Sequence, residues 1–393
     1  MKSKKYISRT VWVLSFVSLF TDTASEMLYP VMPMYLKSIG FSILLIGVLE
    51  GFAEATAGLS KGYFGKLSDH TGKRMPFVQL GYGLSAISKP LLAVLTTPIG
   101  IFFGRTIDRL GKGLRTGARD AVLSDEATPE TKGIVFGFHR SMDTIGAVIG
   151  PLIALLYLQF YPAQYKNLFI LALAPGLLAV GCSFLLKDKE GLPKPPGDRP
   201  SFFSFLHYWK TSPSLYRKLV MGLLIFTLVN SSDVFLLLKA KQSGLTDKEI
   251  IAVYIFYNLI YVIFALPIGI LADKIGLKKV FIIGLSVFFI VYTGIANAEH
   301  EYQFYLLFFL YGIYAAATEG ISKAWISNIT DKKDTATAIG TYSGFQSICL
   351  MIASSTAGLI WFKFGPTATF LLSGMTALLV ALYISLIPFK KAK

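Results

Sequence analysis

The chain has 393 residues, of which 53% are apolar and only 16% charged, with a formal net charge of +15. A typical soluble domain carries roughly 25% charged residues, so this balance excludes an ordinary globular protein and points to a membrane one. Its two cysteines, Cys182 and Cys349, and its four histidines show no metal or redox spacing, so no metal site and no cofactor is expected.

Apolar runs of the ~20 residues needed to cross ~30 Å of hydrocarbon recur down the whole sequence. They predict an all-α membrane protein of twelve transmembrane helices, at 10–36, 42–66, 75–96, 98–120, 132–158, 165–187, 216–238, 247–272, 278–297, 301–325, 335–362 and 367–388. The start, basic up to Arg9 and then apolar, resembles a secretory signal. Asp22 and Glu26 interrupt that run and eleven spans follow, so it is expected to be the first span.

Span 1 stacks Asp22, Glu26, Tyr29 and Pro33 on one helical face, and span 2 does the same with Glu50, Glu54 and Lys61. Span 3 holds Lys89. Span 4 presents Arg105, Asp108, Arg109 and Lys112 at i, i+3, i+4 and i+7, a basic stripe with one embedded acid. Span 5 sets Arg140 and Asp143 one turn apart, and the later spans hold Asp233, Glu319 and Lys323. Each such group costs roughly 3 kcal/mol if it faces lipid, so these residues must face one another or water.

Between Lys187 and Leu219 the apolar character breaks across a stretch rich in proline and charge. The break divides the chain into an N-terminal bundle at 1–187, a cytoplasmic linker at 188–215 and a C-terminal bundle at 216–393. Basic residues concentrate in alternate loops, and the loops of the other side hold Lys37, Lys166, Lys239, Lys241, Lys248 and Lys363. That bias predicts both termini in the cytoplasm and accounts for the net charge with no nucleic-acid partner.

A repeat supports two halves. Gly65, Asp69, Gly72 and Arg74 after span 2 recur as Gly269, Asp273, Gly276 and Lys278 after span 8, each 204 residues later. The segment Gly65 to Arg74 resembles the loop signature of the major facilitator superfamily. The resemblance implies two pseudo-symmetric six-helix bundles around a central cavity, and a charge-relay latch built from the Asp and the basic residues of that loop. Gly137, Gly146, Gly150 and Pro151 are similar to the antiporter motif of the family's exporters, although Ala154 and Leu155 stand where its closing glycines would fall. Pro30 and Pro33 resemble the proline element of twelve-helix drug:proton antiporters. Arg105 matches the family's helix 4 arginine by its distance to Gly133, with Asp108 and Arg109 where Gln and Gly are usual.

These readings together lead to a secondary active transporter, not an enzyme, that moves a small organic solute by proton-coupled efflux. Asp22, Glu26, Glu50, Glu54 and Asp143 are its candidates for proton coupling. Arg105, Asp108, Arg109, Lys112, Arg140, Asp233 and Glu319 are its candidate cavity or charge-pair residues. The alternative transport reading is proton-coupled uptake of an anionic solute, which suits the basic stripe. A membrane-embedded enzyme or a receptor is the competing class, against which stand the missing nucleophile–base pair and the short linker. A further alternative leaves these charges as fixed ion pairs that hold the bundle together. The expected setting is a bacterial inner (plasma) membrane, with solute, protons and lipid bilayer as partners and the protein acting as a monomer.

Overall fold

The computed structural model describes residues 7–388 except 30, 42, 163, 189–200, 203, 231–232 and 246, and no strand occurs among them. The helices are α1 (Arg9–Leu28), α2 (Met32–Ser38), α3 (Ile43–Thr71), α4 (Met75–Val94), α5 (Pro98–Asp125) and α6 (Lys132–Phe160). Then follow α7 (Tyr165–Leu171), α8 (Leu173–Ser183), α9 (Ser204–Thr211), α10 (Ser214–Thr227), α11 (Val234–Gln242) and α12 (Asp247–Ile275). The chain ends with α13 (Leu277–Ala296), α14 (Glu301–Asn328) and α15 (Thr335–Leu386).

Among the described residues, eight helical stretches are long and apolar enough to cross a membrane by length and composition alone. The last of them counts once although Gly365, at φ 83°, breaks α15 into two spans. α3 and α5 are long but charged, and span 7 is divided into α10 and α11. With these included the fold has twelve spans, α1 with α2 and α7 with α8 each forming one. Helix starts follow ordinary capping chemistry: Ser8 Oγ accepts the Val11 N–H at 3.2 Å, and Thr97 Oγ1 accepts that of Gly100 at 3.2 Å with Pro98 opening α5.

Contacts group the chain into two compact units. The first contains Met1–Glu126, Met142–Thr211 and Asp331–Ser347, the second Ala127–Ser141, Ser212–Thr330 and Ile348–Lys393. The start of α6 therefore groups with the second unit, and the start of α15 with the first.

Within a bilayer, helix association depends on close van der Waals fit and polar contacts, because lipid tails are as apolar as leucine. The first unit shows this where α5 packs on α3 and α4. A Cβ at Gly81 would lie 2.7 Å from Gly111 O, and one at Gly111 2.6 Å from Gly81 O, so the two backbones touch. At the α2 end, Tyr35 OH donates to Leu92 O at 2.6 Å and its ring meets Phe169 at 4.7 Å. In the second unit α14 packs against α12 and α13 through Gly312 on Ile260 and Gly284 on Thr318.

Candidate functional site

The close approach of α4 to α5 brings Lys89, one turn beyond Ser85, onto the α5 stripe. Lys89 Nζ binds Asp108 Oδ1 at 2.7 Å, Ser88 Oγ donates to the same oxygen at 3.3 Å, and Arg105 lies 3.7 Å from the other oxygen. Asp108 is thus held by two cations and a hydroxyl. Arg115, further along α5, donates to Ser85 Oγ at 2.6 Å and lies over the Tyr82 ring at 4.7 Å.

Lys89, Arg105, Asp108 and Arg115, together with Arg109 and Lys112, line a cleft in the first unit. Asp22, Ser25, Glu26 and Tyr29 of the first span line the same cleft, as do Leu28, Met32 and Leu92. The structure therefore brings together six of the sequence candidates: Asp22 and Glu26 with Arg105, Asp108, Arg109 and Lys112. Arg105, Asp108 and Arg109 are buried and Lys112 is exposed.

Behind the acid wall lies a second carboxylate. Gly146 and Gly150 let α6 lie directly on α1. A Cβ on Gly150 would come within 2.6 Å of Met27 N, and one on Gly146 would strike Leu19 O and approach Asp22 Cβ. This contact places Asp143, less than one turn before Gly146, beside Asp22, with Glu26 and Lys112 nearby. Ser18, one turn before Asp22, donates its hydroxyl to Asp143 and in turn accepts from Arg119 at 3.3 Å. Arg119 pairs with the buried Asp120 at 2.9 Å. A polar path thus runs from the cleft through Asp22, Asp143 and Ser18 to α5.

Arg140, Asp233 and Glu319 belong to the second unit. Arg140 pairs with Glu319, and Tyr261 OH bridges them, accepting from Arg140 Nε at 2.6 Å and donating to Glu319 at 3.1 Å. Asp233 accepts the Tyr311 hydroxyl at 2.7 Å beside a run of tyrosine rings. Glu50 and Glu54 belong to α3, but their side chains fall outside the described residues, as does Pro30.

The repeated loops hold two helix starts. Asp69, at the end of α3, accepts the N–H groups of Ala336 at 3.4 Å and Thr337 at 2.6 Å, and the Thr337 hydroxyl at 2.7 Å. Arg74 binds Asp69 at 2.9 Å and Asp125 at 3.1 Å. A Cβ on Gly65 would meet Ala336 O at 2.5 Å, which explains the first glycine of the signature. In the second unit Asp273 accepts the N–H groups of Gly133 and Ile134, each at 2.7 Å, while Gly269 touches Gly133. Gly72 at φ 64° and Gly276 at φ 103° turn the chain after each acid.

Sequence reasoning missed Ser18, Asp120, Asp125, Thr337 and Tyr261 as members of these networks. It also missed Asp188, which accepts the first N–H groups of α4 from Arg74 at 2.7 Å and Met75 at 2.9 Å. Each is an ordinary polar residue without a motif of its own. Asp143, by contrast, was among the sequence candidates, and the glycines that seat it were visible there too.

The pattern of the family described as Major Facilitator Superfamily matches residues 14–254 and 219–393. An uncharacterized MFS-type transporter of Methanocaldococcus jannaschii is 34% identical over 98% of this chain and 96% of its own length. A multi-drug resistance efflux pump PmrA homolog of Lactococcus lactis is 21% identical over 89% of this chain and 85% of its own. Among solved structures, the human organic anion transporter MFSD10 superposes with a TM-score of 0.79 at 17% identity, covering 96% of this chain and 99% of that one.

Proposed function

The chain belongs to the Major Facilitator Superfamily, and from that premise we propose that it exports a small organic solute in exchange for protons. Family membership makes it a multi-pass membrane protein and a secondary transporter of a solute, not an enzyme.

The observation that carries the coupling is the apposition of Asp22 and Asp143 at the wall of a cation-lined cleft. Two neighbouring carboxylates repel when both are ionised, so such a pair is suited to hold one proton and release it when its surroundings change. Glu26 on the same wall and the cations of α5 supply the charges that bias this exchange. The direction rests on the glycine spacing of α6, similar to that of exporters, and on the relative described as a multi-drug efflux pump. The second reading, uptake of an anion by proton symport, is favoured by the basic lining of the cleft. The bodies that move in this proposal are the two six-helix halves, 1–187 and 216–393, in a bacterial inner membrane with both termini cytoplasmic, as the basic loops suggest.

Flux in proteoliposomes with an imposed pH gradient tests the coupling. Asp22→Asn and Asp143→Asn are expected to remove the response to the gradient while solute exchange at zero gradient persists. A wild-type response to the gradient in both variants would remove the first unit as the coupling site. Reversing the gradient's orientation separates export from uptake.

A further inference from the structure

Among the described residues five cations and three acids line the cleft, a surplus of two positive charges. Asp108 is held by Lys89 and Arg105, and Asp22 faces a second carboxylate. Arg115 is only 5% exposed, and its bonds go to Ser85 Oγ at 2.6 Å and Gly81 O at 3.5 Å, with the Tyr82 ring beneath it. All three partners are neutral. A guanidinium kept in a membrane span by neutral groups leaves its charge uncompensated, and a cleft with excess positive charge concentrates anions.

The same lining holds the apolar groups Leu28, Tyr29, Met32 and Leu92. The cleft thus offers charged and apolar groups to one occupant, the combination that orients an amphipathic molecule.

We propose that the solute is an amphipathic organic anion. Its carboxylate or phosphate head is drawn to the Arg109, Lys112 and Arg115 side of α5, and its apolar body lies along Leu28, Tyr29, Met32 and Leu92. The assignment rests on the cleft being the solute site of the proposed transporter. Lys89, Arg105 and Asp108 act as positioning residues that hold α4 and α5 together beneath the head group.

Binding to the purified full-length protein, read by calorimetry and thermal shift, tests this with phenyl phosphate and benzoate. Phenyltrimethylammonium and benzyl alcohol serve as cationic and neutral counterparts, and inorganic phosphate as a head without a body. The two aromatic anions are expected to bind, inorganic phosphate more weakly, and the cation and alcohol not measurably. Lys112→Gln, at an exposed position, and Arg115→Gln should each weaken the anions roughly tenfold, as loss of a charge-assisted contact does. Arg115→Lys should recover most of that loss, which a purely structural role for Arg115 would not produce. No binding of either aromatic anion, equal binding of the cation, or unchanged affinity in both Gln variants overturns the proposal. The transport reading fails differently: anion binding that is intact, with flux indifferent to the pH gradient, removes proton coupling and leaves the solute class standing.

Discussion

Asp69 at the end of α3 and Asp273 at the end of α12 cap the starts of two helices in the same way, through backbone N–H groups that a helix leaves unsatisfied. Around that common element the charges differ. Asp69 also binds Arg74, which reaches on to Asp125 and to Lys332 O at 3.4 Å. The counterpart of Arg74, Lys278, bonds instead to Ser385 O and Ile387 O, each at 2.8 Å, near the end of α15. The duplicated sequence therefore preserved a backbone cap twice but made an ion-pair network of it once. A latch that depends on charge responds strongly to neutralisation, whereas one that depends on backbone donors loses only the bond to the replaced oxygen.

The largest contrast is expected between the two acids. Asp69→Asn breaks a buried pair, an event worth about 3 kcal/mol or more, and should slow solute turnover roughly tenfold while changing solute affinity less. Asp273→Asn keeps an acceptor oxygen for one of the two N–H groups, which bond different oxygens of the acid, and breaks no ion pair, so it should slow turnover less, about threefold. Parallel flux and binding measurements decide the matter, and equal loss in the two variants would erase the distinction between the latches.

Next in size is Arg74→Lys, which keeps the charge but loses the fork that joins Asp69 to Asp125. Turnover is expected to fall by about threefold. Lys278→Arg, the converse change, should leave flux unaltered, because its partners are carbonyls at another helix end. A flux gain in Lys278→Arg would mean that the second loop can adopt the first loop's chemistry.

The smallest effect is assigned to Asp188, which caps α4 beside the charged latch. Asp188→Ala should cost about 1 kcal/mol of stability, in the range of a lost helix cap, and lower the melting temperature with little change in turnover per folded molecule. A turnover loss as large as that of Asp69→Asn would place Asp188 inside the latch itself.

Much of this architecture was legible because lipid imposes a length and a polarity on every span. Even α3 and α5, whose charges lower their hydropathy, were recovered from the continuity of their runs, and the twelve-span fold follows. That Asp22 and Glu26 share one helical face, and Arg105 to Lys112 another, was readable from helical spacing, and the cost of facing lipid required both sets to turn inward. The partners of Asp69 were not, since backbone N–H groups at the start of α15 leave no trace in residue type. Nor did spacing show that Arg140 and Asp143, one turn apart on α6, face different networks: the contact units divide between Ser141 and Met142. Tyr261 was missed because a tyrosine in a span is ordinary packing until an arginine and a glutamate are found on its hydroxyl.

The two caps also differ in when they can form during synthesis. Asp273 finds its donors 139 and 140 residues upstream, already made when α12 emerges. Asp69 must wait for Thr337, 268 residues downstream, a delay on the order of tens of seconds at the usual ~5–20 residues per second of translation. Throughout that interval α3 stands in the membrane with its terminal carboxylate facing only the local arginine. A nascent chain arrested after α14 should therefore carry its second cap closed and its first cap open, so the last quarter of the chain completes a unit begun by the first.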